Sequence, residues 1–147
     1  MTLKRTHKLS GLCLHDREHQ VPLDHAEPTG ESITVFTREV VSESRQSEDL
    51  PWLLFLQGGP GFPSPRPMDA GGWLGWAAER FRVVLLDQRG TGQSSPLHAD
   101  VVTARGDAQA QADFLSLFRS DSIVEDCELI RHELTGGRPW TTLGQSY

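Results

Sequence analysis

No run of apolar residues in this chain approaches the roughly 20 that a membrane-spanning helix needs. Residues 1–11 are basic but lack the apolar stretch and small-residue cleavage site of a secretory signal. The expectation is a cytoplasmic protein without a membrane partner. Cysteine is scarce as well: Cys13 and Cys127 stand far apart in 147 residues, neither a disulfide framework nor a zinc-ligand spacing. Both are read as reduced thiols, Cys127 as a small buried hydrophobe. Basic residues are outnumbered, with 14 Lys and Arg against 20 Asp and Glu and a formal net charge of −6. Without a cluster of Lys and Arg to follow a phosphate backbone, nucleic acid is not an expected partner. Internal repeats, heptads and low-complexity tracts are absent too.

What is present suits a single globular domain. Hydrophobic residues make up 37% of the chain and 14 glycines are added to them, enough for a modest core. Between Leu9 and Val41 apolar residues alternate weakly (Leu12, Leu14; Val21, Leu23; Ile33, Val35, Val40) and are interrupted by Asp24 to Gly30, which predicts antiparallel strands joined by turns. After a charged, serine-rich connection from Ser42 to Asp49, the run Trp52-Leu53-Leu54-Phe55-Leu56 suits a strand covered on both faces.

Residues 57–72 hold five glycines and four prolines, so that strand must open into a long loop. Trp73, Leu74, Trp76, Ala77 and Phe81 fit a short helix, and Arg82-Val83-Val84-Leu85-Leu86 is a second continuous apolar strand. Asp107 to Phe118 reads as helical. A further helix is predicted from Ser122, with Glu125 completing a capping box, with Ile123, Cys127, Ile130 and Leu134 as its apolar stripe and with Gly136 and Gly137 ending it. Trp140-Thr141-Thr142-Leu143 is the third strand. The fold class is therefore α/β: antiparallel N-terminal strands, then parallel strands with right-handed crossover helices.

Chemistry gathers at the strand exits. Gly144-Gln145-Ser146-Tyr147 supplies four positions of G-x-S-x-G, the strand-to-helix turn that forces a serine into a strained, exposed position. Alone, a G-x-S triplet is an ordinary loop. Acyl transfer through a serine also needs two backbone N–H donors for the developing oxyanion, one of them from the loop after an earlier strand. Gln57-Gly58-Gly59-Pro60-Gly61 occupies such an exit, although a plain Gly/Pro turn would look the same.

In order and spacing, Gln57-Gly58-Gly59-Pro60-Gly61, Asp87-Gln88-Arg89-Gly90-Thr91-Gly92-Gln93-Ser94 and Gly144-Gln145-Ser146-Tyr147 resemble the proline iminopeptidases (prolyl aminopeptidases) of the α/β-hydrolase fold. The resemblance runs from about Val21 to Tyr147 and includes the helix start Asp121-Ser122-Ile123-Val124-Glu125-Asp126. It implies that Ser146 is the nucleophile and that Gly59 and Tyr147 give the oxyanion-hole N–H groups, with Gly58 as the alternative to Gly59. It also implies that the Asp87–Ser94 block is structural, its aspartate and arginine holding loops near the site. The family's first block often begins with histidine, where this chain has Gln57.

By the same resemblance the triad acid and base follow the serine in the chain, and here only Tyr147 follows Ser146. The family's lid, with carboxylates for a substrate's free amino terminus, would also lie further on. The expectation is thus an N-terminal fragment of an α/β-hydrolase sheet without the lid and C-terminal half. Residues 1–45 would give the N-terminal strands and 51–147 a βαβαβ core ending at the nucleophile elbow, inactive alone. The implied activity of the complete enzyme is release of N-terminal proline from peptides by acyl transfer, with no metal and no organic cofactor.

Residue chemistry alone leaves other readings open. A general ester, amide or epoxide hydrolase of the same fold fits equally, as does a non-catalytic remnant that binds a partner through its half sheet. Oligomeric state leaves no mark in the sequence. His132 and His98 lack the chain order a triad base requires. His15-Asp16-Arg17-Glu18-His19 matches H-x-x-E-H, but that pattern holds zinc on a helix, and beside Pro22 in strand-like sequence it reads as a charged turn. Trp52, Trp73, Trp76 and Trp140 are read as packing residues, and Arg66, between two prolines, as a solvated side chain.

Overall fold

In the N-terminal third, alternation builds three antiparallel strands. The computed structural model describes residues 1–59 and 61–146. In it β1 (Thr2–Leu9), β2 (Leu12–Pro22) and β3 (Ser32–Ser42) form a meander. Ser10 and Gly11 make the β1–β2 turn with φ of 48° and 82°, the two positive angles that a tight two-residue hairpin requires. β1 was not legible as a strand, because it is an exposed edge with little to bury. The H-x-x-E-H segment is not a turn but the middle of β2, where His15 and His19 are paired with other side chains.

The two continuous apolar runs become β4 (Trp52–Gln57) and β5 (Arg82–Asp87), and the third predicted strand is β6 (Thr141–Gln145). All six strands form one sheet in the order β1-β2-β3-β5-β4-β6. β4 pairs in parallel with β5 on one side and with β6 on the other, while β3 meets β5 antiparallel and so joins residues 1–45 to the later strands. Because the chain leaves β4 in one direction and returns past it in the other, right-handed crossovers must place their helices on opposite faces.

They do. Helix α1 (Gly72–Ala78) covers the face formed by Leu53, Phe55, Val83 and Leu85, and helices α3 (Ala108–Ser116) and α4 (Ser120–Thr135) cover Trp52, Leu54, Val84 and Leu86. A short α2 (Ala99–Thr103) precedes them. Asp107 caps α3 by accepting the Ala110 N–H at 2.9 Å. α4 begins two residues before the predicted capping box: Arg119 is its N-cap, without a side-chain cap bond. At its other end Gly136 adopts φ 66° and closes the helix, as read from the sequence. Cys127 is buried on α4, and burial pushes its thiol up to about 12. Among the described residues no helix is long and apolar enough to cross a membrane.

One polar contact fastens the meander to α4. His19, fully buried on β2, donates from Nδ1 to Glu133 at 2.6 Å and accepts at Nε2 from the Thr37 hydroxyl at 2.9 Å. Burial lowers its basicity below the ordinary 6.5, and the Glu133 carboxylate offsets this only in part, while the Met1 amino group and Arg17 add to the lowering. The unfolded chain therefore takes up a proton that the folded one resists. Stability is complete above the unfolded value near 6.5 and falls as pH drops below it. The melting temperature is expected to decline more steeply on acidification in the wild type than in His19→Gln, a comparison that calorimetry over the two pH series makes directly.

Candidate active site

β4 lies between β5 and β6, so the crevice at the carboxyl ends of β4 and β6 is the point where the winding of the sheet reverses, the usual ligand position in open α/β sheets. The parallel register there sets Leu56 beside Gly144 and Gln57 beside Gln145. Directly beyond it opens a cavity of about 550 Å³ whose lining includes Gly58 and Ser146. Apolar walls come from Leu56, Phe118, Ile123 and Val124, and polar ones from Gln88, Arg119 and Ser120.

Ser146 is exposed and has φ 61°, the left-handed region that a residue with a side chain rarely enters outside a functional or strained turn. Gly59 has φ 136°, and a Cβ there would come within 2.6 Å of the Phe62 ring, so only glycine fits. Of the two candidate glycines, Gly58 borders the cavity and Gly59 follows it into the loop. Pro60 and Tyr147, the latter a candidate oxyanion donor, lie outside the described residues.

The loop after β5 is built on two buried charges. Asp87 is fully buried and accepts from the backbone N–H of Ser64 at 2.9 Å and of Gln93 at 2.8 Å. It also pairs with the Arg66 guanidinium, so Arg66 is not the solvated residue expected from its proline neighbours. One carboxylate thus ties the long glycine and proline loop to the turn after β5. Gly92 has φ 55°, and a Cβ there would stand 2.1 Å from an Asp87 carboxylate oxygen. Arg89 is buried and bonds Asp126 through two nitrogens at 2.7 and 2.6 Å. Its remaining donors reach the carbonyls of Leu23 at 2.8 Å, Leu117 at 2.6 Å and Pro22 at 3.1 Å. Thus Asp87 and Arg89 hold together the loops that border the cavity.

Sequence reasoning missed Gln88, Phe118 and Val124 as cavity residues. No residue type marks such a lining in advance; it follows from where α4 begins. The tryptophans divide: Trp52 is buried and Trp140 packs against the core, while Trp76 is exposed and Trp73, also exposed, stacks on Phe55 at 4.9 Å. Among the described residues, no histidine and no carboxylate borders the cavity.

Comparison with known proteins adds the family context. The alpha/beta hydrolase fold family matches residues 51–147. A proline iminopeptidase of Aeromonas sobria is 51% identical over 140 residues, 95% of this chain and 33% of that protein. A proline iminopeptidase of Aspergillus aculeatus is 39% identical over 135 residues, 87% of this chain and 30% of that protein. The chain therefore spans about a third of the length of the curated relatives it matches.

Proposed function

The chain belongs to the alpha/beta hydrolase fold family, and from that premise we propose that it carries the nucleophile and oxyanion loop of a serine aminopeptidase that releases N-terminal proline from peptides. The observation that carries this reading is Ser146 at φ 61°, exposed on the wall of the cavity that Gly58 also lines. The names of the two relatives support the choice of substrate.

In the proposed reaction Ser146 Oγ attacks the carbonyl carbon of the N-terminal prolyl residue and yields its proton to a histidine base. The carbonyl oxygen takes the electron pair, stabilised by backbone N–H groups of the glycine loop, Gly59 or Gly58, and of Tyr147. Collapse of the tetrahedral intermediate expels the shortened peptide, whose new amine takes the proton, and water then releases proline from the acyl-enzyme. In a chain of the relatives' length, base and acid would follow Ser146, the order this fold uses. The chemistry calls for no metal or organic cofactor.

The cavity's apolar side, formed by Leu56, Phe118, Ile123 and Val124, suits the methylene carbons of a compact ring. The protein at its native length is expected to hydrolyse a proline arylamide in preference to lysine, glutamate and acetylated proline arylamides, and a fluorophosphonate is expected to modify Ser146, as read by peptide mass spectrometry. Equal rates across the panel with Ser146 labelled would point to a general ester or amide hydrolase. Absence of both turnover and labelling would favour the partner-binding reading, for which β6, exposed along its length, is the surface at hand.

A further inference from the structure

A large apolar ring stands in water beside the glycine loop. Phe62 is 64% exposed and belongs to none of the hydrophobic clusters of the core. Its position is nevertheless fixed from both ends of the loop. The chain enters from the β4–β6 ladder, where the registered pair of Gln57 with Gln145 commits the Gly58 N–H to β6. It leaves through Ser64, only 1% exposed, whose N–H goes to Asp87 at 2.9 Å and whose hydroxyl goes to the Leu86 carbonyl at 3.0 Å. Between these anchors Gly59 and Gly61 take φ of 136° and 107°, conformations open to glycine. The Phe62 ring thereby lies against Gly59, so near that a Cβ on Gly59 would stand 2.6 Å from its edge.

With Gly58 committed to the sheet, Gly59 is the first glycine of the loop with an N–H left for a ligand, and Phe62 is its neighbour. Two spaces adjoin this loop. One is the cavity, which Gly58 and Ser146 border and Phe62 does not; it suits the residue at the end of a chain, beyond which nothing continues. The other lies over Phe62, open to solvent, where a chain can run on. The carbonyl carbon under attack carries the prolyl residue and the leaving nitrogen on diverging bonds, so a proline seated in the cavity sends the second residue outward. From this arrangement we propose that Phe62 is the subsite for the side chain of the substrate's second residue, and that it selects peptides in which that residue is aromatic or aliphatic. Such a side chain covers the ring and removes apolar surface of both from water, which a small or charged one does not. This rests on the serine-aminopeptidase reading above.

The test measures kcat/KM at native length for prolyl-phenylalanine amide, prolyl-glycine amide and prolyl-glutamate amide in wild type, Phe62→Ala, Phe62→Leu, Phe62→Lys and Ser146→Ala. Wild type should favour the phenylalanine over the glycine substrate on the order of 10-fold, the low end of what an apolar contact discriminates. In Phe62→Ala that preference should vanish through loss on the phenylalanine substrate alone, and Phe62→Leu should keep most of it. Phe62→Lys should turn the preference toward the glutamate substrate. Because the ring is exposed and fills no core, the variants should melt with the wild type.

No preference in wild type, or the wild-type preference retained in Phe62→Ala, overturns the proposal. So does an equal loss on all three substrates, the result for a ring that only holds Gly59 in place. If Phe62→Ala does not fold, the preference in Phe62→Lys decides in the same way. Full activity in Ser146→Ala would instead overturn the serine-hydrolase reading and leave the two failures distinct.

Discussion

In the protein at native length, replacing Ser146 by alanine is expected, on the serine-aminopeptidase reading proposed above, to lower the turnover of a proline arylamide by about 10⁴-fold or more and to abolish labelling by a fluorophosphonate. The expectation follows from the division of labour at the two strand exits. The glycine loop after β4 can stabilise charge on an acyl oxygen, but it offers no atom to form the covalent bond. Among the described residues Ser146 alone is a hydroxyl held at positive φ beside the cavity, and Ser120, on the cavity's other wall, belongs to the first turn of α4. Residual activity after the substitution should therefore sit near what the oxyanion loop and substrate binding supply by themselves. Stability should hardly change, because the Ser146 side chain is exposed and leaves no buried void. Activity assays and thermal melts on the same preparations separate lost chemistry from lost fold.

The second large effect is structural. Replacing Arg89 by methionine is expected to destabilise the protein by about 3–5 kcal/mol, the usual cost of removing one partner of a buried ion pair. Asp126, only 1% exposed, would be left in a dry site with His25 Nε2 at 2.9 Å as its remaining side-chain partner among the described residues. Three carbonyls, those of Pro22, Leu23 and Leu117, would lose their donor at once. Asp126→Asn in the same background should recover part of the loss by removing the stranded charge. Urea titrations of the single and double variants give the coupling between the two positions directly. The damage should reach the site as well, since Leu117 precedes Phe118 and Arg119, which line the cavity.

Sequence and structure agree most closely where burial is greatest. Trp52 to Leu56 and Arg82 to Leu86 are legible because a strand packed on both faces must be apolar at every position. The reversal of winding about β4 follows from the strand order, which the sequence does not carry. β1 escapes notice because Thr2–Leu9 is an edge strand with charged residues on it, so burial imposes no period. The H-x-x-E-H segment misleads in the opposite way. A charged string looks like a turn, yet buried His19 is satisfied by Thr37 on β3 and by the exposed Glu133 on α4, and a partner 114 residues away leaves no local signal. Arg66 is a third case: its pairing with Asp87 depends on a loop folding back across β5.

At the candidate site the motifs supplied positions, and the structure supplied their neighbours. Gly58, Gly59 and Ser146 could be singled out because glycine and serine at a strand exit have a backbone reason to be there. Gln88 could not, since its amide reaches the Gln57 carbonyl only because the β4–β5 ladder stops at Phe55 and Leu85.

The positive φ of Ser146 also sets which side chains this turn could accommodate in place of the proposed nucleophile. In the left-handed region a branched Cβ collides with its own backbone, so threonine, which carries the same hydroxyl, is the poor replacement. Cysteine and aspartate are unbranched at that position, and aspartate enters this region more readily than most residues. Backbone shape thus filters the candidates before reactivity does: a lineage could exchange oxygen for sulfur or for a carboxylate here with the turn intact, whereas the chemically smallest change, the addition of one methyl group, is the one the chain resists.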